Sequence, residues 1–226
     1  MISSSASSSM VRPSWALGLL GGAFDPVHIG HLRGALAVLD HLGLQRVDLL
    51  PAAQSPLKHS ACVDSAHRLA MLEIAVSGVP GLGIDARELD RAGPSYTVDT
   101  LAAIRQESDA HRPIIWIMGS DGLTSLLRWS RWEQLLELTH VVVMDRPGAS
   151  PVPREVSQWL DAHRASSDWL LSHPAGGVLM LHQPLLDIAS SEIRGLIQRG
   201  KNPRFLLPDA VMEYISTHDL FAPPAL

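Results

Sequence analysis

The sequence predicts an α/β protein: a doubly wound, Rossmann-like parallel sheet with helices on both faces and a small helical part at the C-terminus. Three observations predict it. Short apolar runs alternate with helical patterns along almost the whole chain, the order that βαβ units produce. Ala16–Leu20 and Ile114–Met118 are apolar along their length, as strands covered on both faces are. The chain has 226 residues, 46% of them apolar, which suffices for one large core.

Taken in order, residues 1–10 form a Ser-rich tail, expected to be disordered, and residues 11–226 form a single domain. Ala16–Leu20 is a buried strand ending at Gly21-Gly22. Gly30 to Leu42 is a helix with Leu32, Ala35, Val38 and Leu39 on one face. Arg46–Leu50 is a second strand, stopped by Pro51, and a polar loop follows. Ser65–Val76 is a helix with Leu69, Leu72 and Ile74/Ala75 inward. Leu82–Leu89 reads as a strand and Tyr96–Arg105 as a helix introduced by Gly93-Pro94-Ser95. Ile114–Met118 is the most apolar strand. Helices over Asp121–Leu127 and Trp132–Leu138 lead to the strand His140–Met144. A helix is expected within Pro153–Leu170, then a strand at Val178–Leu181 and helices at Ser190–Gln198 and Pro208–Thr217. Ligands of such sheets bind beyond the carboxyl ends of the strands, so the loops after Leu20, Leu50, Met118 and Met144 are the ones to watch.

Composition narrows the function. The formal net charge is −5 and no long basic run occurs, which argues against a nucleic-acid partner. No run of roughly 18 apolar residues is present, so no membrane span is expected. Cys62 is the only cysteine, which excludes a disulfide within the chain and a cysteine zinc site and suits a reducing compartment, here expected to be the cytoplasm. Homo-oligomer formation is left open.

Two segments carry chemistry. Gly21-Gly22-Ala23-Phe24-Asp25-Pro26-Val27-His28-Ile29-Gly30-His31-Leu32 lies between the first strand and the first helix. The glycine pair would let the backbone turn sharply and approach an anion. The helix start adds unpaired N–H groups and a partial positive charge. His28 and His31, three apart, can present their rings to the same side, and Gly30 removes a side chain that would block a ligand. Neither a G-x-G-x-x-G fingerprint nor a Walker loop is present. The second segment is Ile188-Ala189-Ser190-Ser191-Glu192-Ile193-Arg194. Ser190 reads as a helix N-cap and Arg194 as its neighbour one turn on, so hydroxyl, helix N–H groups and guanidinium would converge on a polyphosphate.

The His28-x-Gly30-His31 motif together with the Ser-Ser-x-Ile-Arg segment resembles the nucleotidylyltransferase superfamily. The longer match resembles bacterial nicotinate-nucleotide adenylyltransferases. It adds His67–Leu72, Pro94–Thr97 with Thr100-Leu101, Gly119-Ser120-Asp121 and Arg146-Pro147-Gly148, in the family's order over roughly residues 16–217. The resemblance implies transfer of the adenylyl group of ATP to nicotinate mononucleotide, giving nicotinate adenine dinucleotide and pyrophosphate in NAD biosynthesis. It implies His28, His31, Lys58 and Arg194 as catalytic residues. It places Gly21, Gly22, Ala23, Phe24, Gly30, Gly119, Asp121, Ile188, Ser190 and Ser191 on ATP. It places Asp25, Ser95, Tyr96, Thr97, Trp129 and Arg146 on nicotinate mononucleotide, with the ring on Trp129 and the carboxylate near Tyr96 and Thr97. Mg²⁺ is expected with the ATP phosphates, without a protein metal cage.

Three segments depart from the family pattern. Ala23 stands for a usual Thr, Leu57 for a usual His before Lys58, and Ala189-Ser190-Ser191 for a hydroxyl-richer run. Rival readings are a related enzyme acting on nicotinamide mononucleotide or another phosphate ester, and a catalytically silent nucleotide-binding regulator. Retention of both histidines, Lys58 and Arg194 speaks against the regulator.

Overall fold

The apolar runs of the sequence line up as one six-stranded parallel sheet of order β3-β2-β1-β4-β5-β6. The computed structural model describes residues 14–54, 61–91, 93–145, 151–182 and 186–222. Its elements are β1 (Ser14–Gly22), α1 (Ile29–Leu42), β2 (Leu44–Pro51), α2 (Ser65–Val76), β3 (Leu82–Ile84), α3 (Thr97–Glu107), β4 (Ile114–Gly119), α4 (Ser120–Ser125), α5 (Leu135–Leu138), β5 (His140–Asp145), α6 (Arg154–Ala162), α7 (Ser167–Ser172), β6 (Val178–His182), α8 (Ser190–Gln198) and α9 (Asp209–Thr217). Winding reverses between β1 and β4, which pair side by side with Leu19 opposite Trp116. Their carboxyl ends therefore open a crevice, as the doubly wound topology requires.

The central strand β4 shows why its own run is apolar throughout. Ile115 and Ile117 pack with Val38 of α1, Leu72 of α2, Ile193 of α8 and Val211 of α9. Ile114, Trp116 and Met118 pack on the opposite face with Leu101 of α3, Leu123 of α4, Leu135 of α5 and Val156 of α6. With period-2 side chains and two covered faces, every position must be apolar. The C-terminal helices α8 and α9 thus join the same layer as α1 and α2.

Several elements differ from the sequence reading for local reasons. The strand expected over Leu82–Leu89 stops at Ile84. Asp85 ends it: its carboxylate accepts the Arg87 backbone N–H at 3.1 Å and the Arg87 guanidinium at 2.7 Å, a turn-forming arrangement. The stretch Pro153–Leu170 holds two helices, because Ser166 caps α7 by accepting the Trp169 N–H at 3.3 Å. The two helices expected over 121–138 are shortened by 3₁₀ turns at Leu126–Arg128 and Trp132–Gln134.

The face of α2 is the main correction. Its buried residues are Arg68, Met71, Leu72 and Ala75, whereas Leu69 and Ile74 are only partly covered. Arg68 is 1% exposed. Its Nη1 donates to the carbonyls of Ala23 and Ala52 at 2.8 and 2.7 Å, and its Nη2 to that of Ala53 at 3.2 Å. One side chain on α2 thereby fastens the loops that leave β1 and β2. At the other end of the sheet, Arg105 of α3 donates to the carbonyls of Arg112, Leu138 and Pro174 at 2.7, 2.7 and 2.8 Å.

His140, at the start of β5, is fully buried. Gly177 N–H donates to its Nδ1 at 3.0 Å, and its Nε2 bonds the His173 carbonyl at 2.7 Å. A carbonyl only accepts, so the ring proton is on Nε2 and a second proton on Nδ1 would confront the Gly177 N–H. Burial pushes the His140 pKa below its ordinary value, the hydrogen bond to the His173 carbonyl pulls it part of the way back, and the charge of Arg105 adds to the fall.

Arg68→Met, which keeps length and removes the donors, should lower stability in a urea titration by about 2–4 kcal/mol, because three loop carbonyls lose their partners. A change below about 1 kcal/mol would show that the loops hold themselves. For His140 the sign is fixed by its depressed folded-state pKa. In mildly acidic solution the unfolded chain binds the extra proton and the folded chain does not, so stability falls as pH drops below about 6.5. His140→Gln should be less stable at neutral pH by about 1 kcal/mol, the scale of a lost buried hydrogen bond, and should show a flatter stability–pH curve than the wild type. Parallel curves would remove His140 as the cause.

Candidate active site

The glycine pair at the end of β1 does not make the turn that the sequence suggests. β1 runs straight through Gly21 and Gly22, which pair with Leu50 and Pro51. A Cβ on Gly21 would lie 2.1 Å from the Trp116 ring, so the position must be empty for the indole to lie across it. The reversal comes at Phe24, at φ 49°, in a region few L-residues adopt. The Phe24 side chain is 1% exposed and its ring meets His31 edge-on at 4.9 Å. Burial of an aromatic ring offsets the backbone strain at that residue.

His28 and His31 form a reciprocal cap on α1. The His31 N–H donates to His28 Nδ1 and the His28 N–H to His31 Nδ1, each at 3.3 Å. The two rings stack with centroids 3.6 Å apart. With Nδ1 accepting on each ring, the neutral imidazole carries its proton on Nε2. The pair is thus a set of oriented Nε2–H groups at a helix N-terminus. Gly30 gives room to His28: a Cβ there would sit 3.0 Å from His28 Nδ1 and 3.5 Å from the Leu186 carbonyl, so its absence serves the histidine before any ligand.

The second sequence motif packs onto this loop. Ser190 is the first residue of α8 and not its cap; Ala189 takes that position without a side-chain bond. The Ser190 hydroxyl donates to the Pro26 carbonyl at 2.9 Å. Arg194 Nη1 donates to the Asp25 carbonyl at 2.6 Å and lies 3.6 Å from Asp25 Oδ2. Ser190 and Arg194 share a face, as expected, and that face grips the β1–α1 loop. Ile188 is buried beneath it, and Ser191 is exposed. Asp25 is 4% exposed and also accepts the Cys62 N–H at 2.8 Å. Lys58 and Arg146 lie outside the described residues.

Beside this group, a cavity of about 240 Å³ opens at the carboxyl ends of β1, β2 and β4. It brings together Gly21, Gly22, Ala23, Ser95, Tyr96, Thr97, Gly119, Asp121 and Trp129 from the sequence reading. The remaining described candidates, Phe24, Asp25, His28, Gly30, His31, Ile188, Ser190, Ser191 and Arg194, are grouped along the β1–α1 loop and α8 instead of in its wall. The cavity also takes in Leu50, Glu88, Trp116 and Met118, which sequence reasoning missed. Glu88 sits in the turn that replaces the end of the expected strand, so the strand assignment concealed it.

Wall residues are held firmly. The Ser95 hydroxyl accepts the Ala53 N–H at 3.1 Å, and the Ser95 N–H donates to the Gln54 carbonyl at 2.9 Å. This sets the start of α3 against the loop after β2. Tyr96 caps α3 without a side-chain bond, leaving the first-turn N–H groups as the positive end of an 11-residue helix. Trp129 Nε1–H donates to Ser125 Oγ at 3.2 Å, which fixes the indole plane. The Asp121 carboxylate folds back over Gly119, where a Cβ would meet its Oδ1 at 2.5 Å. Among the described residues no cluster of three His, Cys, Asp or Glu is placed to hold a metal ion, and no helix is long and apolar enough to cross a membrane.

Comparison with known proteins agrees with this architecture. Residues 19–196 match the model of the cytidylyltransferase-like family. A Pseudomonas putida protein named probable nicotinate-nucleotide adenylyltransferase is 45% identical over 209 residues, covering 92% of this chain and 91% of its own length. A Pseudomonas entomophila protein of the same name is 45% identical over 206 residues, covering 91% of this chain and 94% of its own. Among solved structures, the Plasmodium falciparum nicotinic acid mononucleotide adenylyltransferase complexed with NaAD superposes with a TM-score of 0.71 at 15% identity, over 91% of this chain and 97% of that one. The same enzyme complexed with APC gives a TM-score of 0.69 at 15% identity, over 91% of this chain and 96% of that one, and both show the shared fold. On the length of the family match and the identity of these relatives, this chain belongs to the cytidylyltransferase-like family and, within it, to the nicotinate-nucleotide adenylyltransferases.

Proposed function

We propose that this protein transfers the adenylyl group of ATP to nicotinate mononucleotide, releasing pyrophosphate and forming nicotinate adenine dinucleotide for NAD biosynthesis. The observation that carries the reading is the adjacency of two half-sites. A stacked His28–His31 pair stands at the N-terminus of α1, next to a cavity walled by Trp129 and the uncapped start of α3.

The reaction asks for positioning and charge neutralisation more than for a strong base, because the phosphate of the acceptor is already an anion. That phosphate attacks the α-phosphorus of ATP in line, and the bond to the β-phosphate bridging oxygen breaks. The Nε2–H groups of His28 and His31 would donate to the α-phosphate and leaving oxygens. Arg194, held at one Nη by the Asp25 carbonyl and partly exposed, would present its remaining N–H groups to the β,γ-phosphates. Lys58 is assigned to the same phosphates by the family resemblance. Mg²⁺ would be carried in by the phosphate oxygens and neutralise charge on them, keeping most of its waters. Gly119 and Asp121 would face adenosine and Trp129 the nicotinate ring, with the ring carboxylate at the first-turn N–H groups of α3. A cytoplasmic location belongs to this reading and suits a chain whose lone cysteine, Cys62, is an exposed free thiol.

ATP and magnesium offered with the acid or the amide mononucleotide, while pyrophosphate release is followed, tests the reading. The acid should be preferred by about tenfold or more in kcat/KM, since a helix N-terminus favours an acceptor-only carboxylate over an amide that also presents N–H₂. Equal use of the two would move the chain to a dual-specificity reading. In a second test, His31→Ala should lower kcat by about 10² or more while the melting profile stays cooperative. Near-normal turnover in that folded variant would take the pair out of the chemistry.

A further inference from the structure

Among the described residues, the charged side chains of the cavity wall are of one sign. The acidic side chains of its described lining are Glu88 and Asp121, no Lys, Arg or His is present there, and the aromatic ones are Tyr96, Trp116 and Trp129. For an acceptor with a phosphate and a carboxylate, an acidic wall is a mismatch unless it meets another group. The acceptor proposed above has one: its ring nitrogen carries the ribose and makes the ring a pyridinium cation. Aromatic faces and a carboxylate together are the groups that bind such a delocalised cation.

Glu88 is placed for this. It is 3% exposed yet borders the cavity. The Thr100 hydroxyl donates to its Oε1 at 2.7 Å, and Ser95 is a second hydrogen-bonding neighbour. The Arg91 guanidinium donates to the Thr100 hydroxyl at 2.8 Å, so it is bonded to the carboxylate's partner and not to the carboxylate itself, on which its charge also acts. Burial raises the Glu88 pKa, Thr100, Ser95 and Arg91 pull it back, and Asp85 adds to the rise. A carboxylate buried with hydroxyl donors in place of a direct ion pair is an incomplete arrangement, which a cation arriving in the cavity completes. Trp116 borders the same cavity, its ring lying against the Gly21 backbone where any Cβ would collide with it.

We propose that Glu88, with the indoles of Trp116 and Trp129, recognises the positive charge of the acceptor ring and makes the enzyme selective for the oxidised pyridinium mononucleotide over its uncharged 1,4-dihydropyridine form. This rests on the acceptor assigned above. Acid and amide acceptors both bear the pyridinium, so Glu88 sets a second specificity, independent of the one at the start of α3.

Wild type and Glu88→Gln are assayed with ATP and either nicotinate mononucleotide or its 1,4-dihydro form. Gln keeps an oxygen for the Thr100 hydroxyl, and the KM for ATP is the internal control. Wild type should favour the oxidised acceptor by about tenfold or more in kcat/KM, and the variant should lose most of that preference through the acceptor KM. Equal use of the two forms by the wild type, or an undiminished preference in the variant, overturns the proposal. Should the variant not fold, the wild type is inhibited in parallel with 1-methylpyridinium-3-carboxylate and with benzoate. Stronger inhibition by the pyridinium supports the charge site, and equal inhibition overturns it. Failure of the wild type to use nicotinate mononucleotide at all would instead overturn the acceptor assignment, and the same pair of inhibitors would then judge the charge site alone.

Discussion

A buried guanidinium holds the site in one piece. Loops that leave a parallel sheet carry carbonyls that the ladder no longer serves, and under a helix layer those carbonyls have no water to turn to. Arg68 supplies the donors from α2, reaching Ala23 on one loop and Ala52 and Ala53 on the next. Five N–H groups in a rigid fork suit that task, whereas a lysine would offer a point charge. The fixed backbone is then the platform for the rest: Ala53 N–H holds Ser95, and Ser95 sets the start of α3. Arg105 works in the same way on loops at the opposite end of the sheet. The fold therefore closes its two rims with arginines aimed at main-chain oxygen, Arg68 buried and Arg105 half-buried.

The histidine half of the site is held from a different direction. α8 comes last but one among the helices and docks Ser190 and Arg194 on the carbonyls of Pro26 and Asp25. The Asp25 carboxylate lies between Arg194 and the Cys62 N–H, with the Arg68 charge also near it. Residues far apart in sequence thus converge on a short loop from which His28 and His31 project. For a transfer that depends on geometry, this division has a mechanical consequence. One half of the site is referenced to β2 and α3, the other to α8, and Asp25 and Arg68 are where the two frames touch. Distances between an ATP phosphate and an acceptor phosphate are set across that joint.

Much of this was legible in the sequence, and the gaps have physical reasons. Alternating apolar runs gave the doubly wound sheet because strands buried on both faces cannot hide their composition. His28, Gly30 and His31 stood out because their spacing marks a helix start. Arg68 did not, because a periodicity argument assigns an inward face to Leu69 before it assigns one to a cation. Only tertiary placement of three loop carbonyls makes that arginine a core residue. Glu88 was lost in Leu82–Leu89, read as one strand, which is cut short where the Asp85 carboxylate accepts the Arg87 backbone N–H. Ser190 looked like a cap since serine usually caps. Here its hydroxyl has a partner on another segment, which local sequence does not reveal.

The glycines show how far a motif can be read correctly in position and differently in cause. Gly21 was singled out as a place where backbone would approach an anion, Gly30 as a missing side chain that clears room for a ligand, and Gly119 as an ATP contact implied by the family resemblance. Each instead lies against a side chain of the site: Trp116 at Gly21, His28 at Gly30, Asp121 at Gly119. None of the three has a positive φ, so conformational freedom is not what they supply. What they supply is missing volume, in which an indole, an imidazole and a carboxylate take up fixed positions against main chain. The two accounts are not rivals. At Gly21 and Gly119 both the glycine and the side chain laid on it border the cavity, so the missing Cβ serves the neighbour and leaves main chain in the cavity wall. Small residues at a strand end therefore orient their large neighbours, and the chemistry belongs to those neighbours.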